Sequence, residues 1–315
     1  MSRILTLTMN PAVDICATVE RIFPAHKLRC QLVRRDAGGG GINVARTVRR
    51  LGGDPVAIFP SGGPTGQLLE RLVAVEGVSY IPVPIADDTR EDFTVDENTT
   101  QDQYRFVLPG PLLTQAEERA CVEAVDRELG AATILVASGS LPPSVEPRFY
   151  GLLAEKARAK GARFVLDSSG PALKAALGSG VHLIKPSLRE FEQLAGSDLA
   201  DGTAQLAAAH QLIARKQCGQ VALSLGEEGA LLVGEDFAIR ATAPRVAAVS
   251  TVGAGDSFLG ALVWAMAQDR KPQDALRLAV AAGSAALLSR GTGLCDPADV
   301  ERLANQVEVC EMEAA

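Results

Sequence analysis

"ATILVASGSLPP", residues 132–143, is a short run of β-favouring residues that stops in Ser, Gly and Pro. Three later runs have the same form: "ARFVLDSSG" at 162–170, "VHLIKPS" at 181–187 and "QVALSLGEEGA" at 220–230. Stretches of helical character, 147–160 and 204–216, lie between them. Strands that alternate with helices are joined by crossovers, so they run parallel and carry helices on both faces. The pattern predicts an α/β fold with a doubly wound, mostly parallel sheet. Ligands bind beyond the carboxyl ends of such strands, and each run ends there in Ser, Asp, Lys or Gly.

The chain has 315 residues, 47% of them hydrophobic and 22% charged, which suits one large domain with an appendage and a sizeable core. A formal charge of -7 and a pI near 5.2 argue against nucleic acid or an anionic membrane as the main partner. Basic residues do gather at Lys27, Arg29, Arg34 and Arg35, either as a solvated strand or as a site for a small anion. Six scattered cysteines without a C-x-x-C pair read as reduced thiols, and His26, His182 and His210 lie too far apart to suggest a zinc cluster. The chain opens on the strand-like "RILTLTMNP" and holds no apolar run of membrane-spanning length, so a cytoplasmic location is expected.

Two regions break the alternation. Residues 13–34 show period-two apolar spacing with too few residues between the halves for a crossover helix. "EDFTVDE" and "QYRFVLP" alternate likewise across a turn at 98–102. These four runs predict a small antiparallel sheet that covers a cleft, pairs with a second copy, or does both. The division expected is a core of 1–12, 35–87 and 110–315 and a lid of 13–34 and 88–109.

Glycines mark two further places. "AGGGGINVARTVRRLG", residues 37–52, places four glycines before a helix, a costly choice unless the backbone must approach something closely. Asn43 and Val44 fall where a dinucleotide fingerprint needs its third glycine, so that reading is poor. "STVGAGDSFLGAL", residues 250–262, joins a glycine turn to a helix that is apolar nearly all round. Backbone N–H groups at such a turn can hold phosphate oxygens, and Asp256 is either a helix N-cap or a base for a hydroxyl aimed at phosphorus.

Taken together, "GGGGINVA", "SGSLPP", "DSSG", "KPSLRE", "SLGEEGA" and "STVGAGDS" in this order resemble the ribokinase-like (PfkB) carbohydrate kinases along essentially the whole chain. Within that family "TLTMNPAVD" resembles the branch of phosphofructokinases and tagatose-6-phosphate kinases, and "GGGGINVA", in place of a lysine-containing GGKG version, together with "YRFVLPG" is most similar to the minor bacterial ATP-dependent 6-phosphofructokinases. The resemblance implies phosphorylation of fructose 6-phosphate at its 1-hydroxyl by ATP, giving fructose 1,6-bisphosphate and ADP, with tagatose 6-phosphate or fructose 1-phosphate as alternative acceptors. A non-catalytic sugar-phosphate sensor is the alternative of another class.

By that resemblance Asp256 is the catalytic base and Gly253, Ala254 and Gly255 form the anion hole. Asp14, Gly39, Gly40, Gly41 and Asn43 bind the sugar hydroxyls with Ser140 nearby, while Arg90, Arg105 and Lys27 bind its phosphate. Lys185, Ser187, Ser224, Gly226 and Gly229 serve the nucleotide, and Ala248, Val280 and Ser284 line its base pocket. Ser187 stands where the family usually has Asn; Glu190 is kept and is expected to organise hydrated Mg²⁺. Ser250, Val252, Ala286, Ser289, Gly291 and Gly293 correspond to a K⁺ site built mainly from backbone carbonyls. A homodimer joined through the lid sheets is expected.

Overall fold

The computed structural model describes residues 2–289, 291 and 293–312, so the outermost ends of the expected core segments, residue 1 and residues 313–315, lie outside the described residues. In chain order the elements are β1 (Arg3–Leu7), β2 (Ala12–Val19), β3 (Gln31–Gly38), α1 (Gly40–Arg50), β4 (Val56–Ser61), α2 (Gly63–Val75), β5 (Ser79–Pro84), β6 (Arg90–Glu97), β7 (Gln103–Phe106), α3 (Gln115–Glu128), β8 (Thr133–Ser138), α4 (Phe149–Ala159), β9 (Arg163–Asp167), α5 (Gly170–Ala176), β10 (Leu183–Ile184), α6 (Leu188–Ala195), α7 (Gly202–Ala214), β11 (Gln220–Ser224), β12 (Ala230–Val233), β13 (Ala238–Thr242), α8 (Ala254–Ala267), α9 (Pro272–Ala286), α10 (Pro297–Ala304) and β14 (Glu308–Glu311).

The main sheet runs β14-β13-β12-β11-β10-β9-β8-β1-β4-β5. Pairing is parallel from β5 through β11, and β12, β13 and β14 close one side in antiparallel fashion. This is the expected doubly wound α/β architecture. Strands β1 and β8 read as continuous apolar runs because both of their faces are covered. Leu5, Leu7, Leu135 and Leu166 pack with Val125 of α3, Leu153 of α4, Leu173 of α5, Phe191 of α6 and Leu206 of α7. Ile4, Ile134, Val136 and Val165 face the other way, toward Val44 of α1, Leu259 and Leu262 of α8, Leu276 of α9 and Val300 of α10.

Helix α8 is apolar nearly all round because it lies between α1, α9 and the sheet. Truncating the fully buried Leu259 to Ala would cost roughly 2–5 kcal/mol. That anchoring holds the turn at its N-terminus.

The second sheet has the order β3-β2-β6-β7. Each of its hairpins is antiparallel, as expected, but β2 and β6 join them in parallel from Ala12↔Arg90 to Val19↔Glu97. The reason lies in the main sheet: β1 and β5 run the same way, and each continues through a short connection into β2 or β6. One face carries Asp14, Asp36, Asp92 and Arg105 by register; the other leaves Phe93, Tyr104 and Phe106 exposed. Among the described residues none of the six cysteines forms a disulfide. Among the described residues no helix is long and apolar enough to cross a membrane.

Candidate active site

Gly253 begins α8 in the left-handed region, at φ 79, where a residue with a Cβ would be strained. It is the N-cap itself and provides no side chain, so the first-turn N–H groups have no side-chain cap. Asp256 is therefore not the cap; it is the third residue of the helix. Its Oδ2 accepts a hydrogen bond of 2.9 Å from Nδ2 of Asn43, the fourth residue of α1. Burial, and then the charge of Asp167, push the Asp256 carboxyl up to about 6, against the pull of Asn43, Lys185 and Arg46.

Lys185 follows β10 and is 6% exposed. Its Nζ lies 3.2 Å from Oδ1 of Asp167 at the end of β9, and Ser138 at the end of β8 donates to the other oxygen at 3.1 Å. Burial disfavours the ammonium, but Asp167 and then Asp256 and Glu190 outweigh it and keep Lys185 protonated. A Cβ on Gly255 would stand 3.5 Å from that Nζ, so the ammonium abuts the N-terminus of α8. A cation and a helix N-terminus thus meet at one point, the arrangement that favours phosphate.

The glycine run before α1 owes part of its composition to packing. A Cβ on Gly41 would lie 2.6 Å from the Leu7 carbonyl oxygen, and one on Gly40 would collide with Ser138 Oγ. The close approach these two glycines permit is to the ends of β1 and β8. Gly39 is the N-cap of α1.

On the second sheet Asp14 stands in register between Asp36 and Asp92. Burial, then Asp92 and Asp36, push its carboxyl up to about 7, while Arg105 and Arg90 pull it down. Arg90 Nη1 lies 3.0 Å from Asp92 Oδ2 and donates to the Leu108 carbonyl at 2.7 Å, while Nη2 donates to the Asn10 carbonyl at 3.1 Å. The Nε–H of Arg90 and Oδ1 of Asn10 are buried without a partner. Asn10 Nδ2 donates to Ser140 Oγ at 3.3 Å, which ties that serine to the same corner. Lys27 is exposed on the β2–β3 connection and forms no hydrogen bond or ion pair among the described residues.

Ser187 caps α6 in a reciprocal box with Glu190: Glu190 N donates to Ser187 Oγ, and Ser187 N and Oγ each donate to Glu190 Oε2 at 2.8 Å. The serine therefore fills the capping role an asparagine could hold. Ser224 N donates to the Pro186 carbonyl at 3.0 Å, and Gly226 and Gly229 bracket a 3₁₀ turn after β11. Val280 and Ser284 are buried on α9, and a Cβ on Gly283 beside them would stand 3.4 Å from the Ala254 carbonyl oxygen. Ala248 is exposed on the loop leading to Ser250. Ser250 Oγ accepts from Val252 N at 3.2 Å and donates to the Gly291 carbonyl at 3.5 Å; Ser289 N donates to the Ala286 carbonyl at 3.1 Å. The Gly293 carbonyl accepts from Arg50.

Sequence reasoning did not single out Arg46, Glu76 or Asp167. Asp167 carried a usable signal, since it ends a strand at the binding edge; Arg46 lies one helical turn from Asn43. A cavity of about 320 Å³ separates Thr18, Asp96 and Gln103 of the second sheet from Ala248, Ser250 and Gly291. A larger groove of about 810 Å³ beside α3 and α4 holds none of the candidate site residues.

A model of the pfkB family of carbohydrate kinases matches residues 7–299. The chain belongs to that family. Among its pfkB relatives, an ATP-dependent 6-phosphofructokinase isozyme 2 of Mycobacterium tuberculosis is 46% identical over 300 residues, covering 95% of this chain and 88% of that one. Crystal structures of phosphofructokinase-2 from Escherichia coli, one in complex with potassium and one with fructose-6-phosphate, superpose with TM-scores of 0.93 and 0.92 at 40% and 39% identity. Each covers 97% of this chain and 99% of the other. The pfkB membership makes the chain a kinase.

Proposed function

We propose that the chain transfers the terminal phosphoryl group of ATP to the 1-hydroxyl of fructose 6-phosphate, giving fructose 1,6-bisphosphate and ADP. The observation that carries this reading is the Asp256 carboxylate at the third position of α8, beside a turn that also meets the Lys185 ammonium. Phosphoryl transfer needs positioning and charge stabilisation more than covalent help from the protein. Asp256 takes the proton of the acceptor hydroxyl, and the N–H groups of Gly253, Ala254 and Gly255 hold the transferring oxygens.

Asp14, the Gly39–Gly41 run, Asn43 and Ser140 hold the sugar hydroxyls. Arg90, with its unpartnered Nε–H, and the exposed Arg105 hold the sugar's phosphate, with Lys27 reaching across from the lid. Lys185, Ser187, Ser224, Gly226 and Gly229 serve the nucleotide phosphates, and Ala248, Val280 and Ser284 its base.

Magnesium, when bound, neutralises charge on the phosphates. Glu190 suits it through water, since one oxygen is occupied in the capping box and its charge bears on both Asp167 and Lys185. Carbonyls around Ser250, Val252, Ala286, Ser289 and Gly291 suit K⁺. The Gly293 carbonyl suits K⁺ less, because its donor, the Arg50 guanidinium, is itself a cation.

We assign residues 13–34 and 88–109 as a lid and its apolar face as the contact of a homodimer, in a cytoplasmic protein. A panel of fructose 6-phosphate, fructose 1-phosphate and tagatose 6-phosphate with Mg-ATP, read as ADP release in a coupled assay, tests the substrate. Highest kcat/KM on fructose 6-phosphate is expected. Preference for another sugar phosphate moves the chain to one of the other two kinases, and no turnover on any of them favours a sensor.

A further inference from the structure

Arg46 is 1% exposed and, by volume, leads the fully buried side chains of the described residues. A charge so placed needs its N–H groups answered; here the Nε–H has no partner among the described residues, Asp36 Oδ1 lies 3.8 Å from Nη2, and the close contacts fall on the two Nη groups. Nη1 donates to the Ala37 carbonyl at 2.9 Å and to Asn43 Oδ1 at 3.0 Å. Nη2 donates to Glu76 Oε1 at 2.6 Å. Glu76 closes α2 as its C-cap and is held a second time by Arg50 Nη2, at 3.2 Å from Oε2. Arg50 is itself anchored through Nη1 on the Gly293 and Cys295 carbonyls. Burial works against the Glu76 charge, but Arg46 and then Arg50 outweigh it and hold the carboxyl below its ordinary value.

This chain of contacts decides which way the Asn43 amide faces. A guanidinium offers donors only, so Asn43 must turn Oδ1 toward Arg46 and Nδ2 toward Asp256. Asp256 Oδ2 is then committed as an acceptor, and Oδ1 is the oxygen left to take a proton. Were Arg46 free to swing, the amide could turn over and set its carbonyl against the carboxylate.

We propose that Glu76, outside the site, is a positioning residue for phosphoryl transfer: it fixes Arg46, which fixes the Asn43 amide, which aims the Asp256 carboxylate. The inference rests on the reading of Asp256 as the base.

The test is a double-mutant cycle of Glu76→Gln and Asp256→Asn in the full chain, with kcat and both KM values measured on fructose 6-phosphate and Mg-ATP. Glu76→Gln alone should lower kcat about 10- to 100-fold with both KM values within about threefold, as expected for a misaimed group. In the Asp256→Asn background the same change should alter kcat by less than about threefold, because the group it aims is gone. An unchanged kcat, a loss confined to KM, or an equal loss in both backgrounds overturns the proposal. Near-normal turnover of Asp256→Asn alone overturns the base reading, and the proposal with it. If Glu76→Gln does not fold, Glu76→Asp, which is one methylene shorter and draws the carboxylate back from Arg46, is read in the same cycle with the same criteria.

Discussion

Asn43 Nδ2 donates to Asp256 Oδ2 at 2.9 Å across 213 residues of sequence. The bond ties the helix that follows the glycine run to the helix that follows the anion turn. It places the proposed sugar-binding residues of α1 and the candidate base in one rigid frame, because α1 and α8 pack directly on each other.

Replacing Asp256 by Asn keeps the shape and removes the base. Turnover should fall about 10²- to 10⁴-fold while nucleotide affinity changes little. Steady-state kinetics and nucleotide titration of the folded variant check this; turnover within about threefold of the parent rejects the assignment.

Activity should depend on pH through the same carboxyl. With its pKa pushed up to about 6, Asp256 is protonated below that value and unable to accept a proton, so kcat should rise through pH 6 and level off above. A kcat profile flat from pH 5 to 7 would show that another group carries the proton.

Stability should carry the mark of Asp14. Its carboxyl stands near 7 in the fold against an ordinary 3.8, so between those values the folded state binds more protons than the unfolded one. The contribution of Asp14 is therefore fully present below the lower value and lost as pH rises through about 7. Asp14→Asn should flatten this part of the Tm-against-pH curve, with the gap between variant and parent widest at the alkaline end. Parallel curves from pH 4 to 8 would remove Asp14 as the cause.

Arg90→Ala and Arg105→Ala should each raise KM for fructose 6-phosphate far more than KM for ATP, by the roughly 1.5–3 kcal/mol of a charge-assisted contact. Arg90 also bridges Asp92, Leu108 and Asn10, so its variant should lose thermal stability as well, whereas Arg105→Ala should not. Equal KM effects on both substrates would take the phosphate away from these arginines.

Phe93 and Phe106 are cross-strand neighbours and are 38% and 54% exposed on the face of the second sheet away from the aspartates. Sedimentation at micromolar concentration should give a dimer, and Phe106→Glu should shift it toward monomer by placing a charge in the contact. A monomeric parent with full activity would remove the lid from assembly.

The doubly wound sheet, the hairpins, the buried α8 and the two glycine turns are legible in the residues, because strand and helix periodicity and turn chemistry are local properties. The site residues could be named through the resemblance to the PfkB kinases, which rests on short contiguous motifs and is local in the same sense. The tertiary structure alone decided the parallel join of β2 to β6, which depends on β1 and β5 running the same way in another sheet. It alone decided that Arg46 is a wholly buried charge held by Glu76, and not a solvated member of a basic helix as its sequence neighbours Arg49 and Arg50 suggest. The raised values of Asp14 and Asp256 belong to the same class. Burial and the charges that surround a carboxyl come from segments far apart in the chain, and only packing brings them within reach of one another.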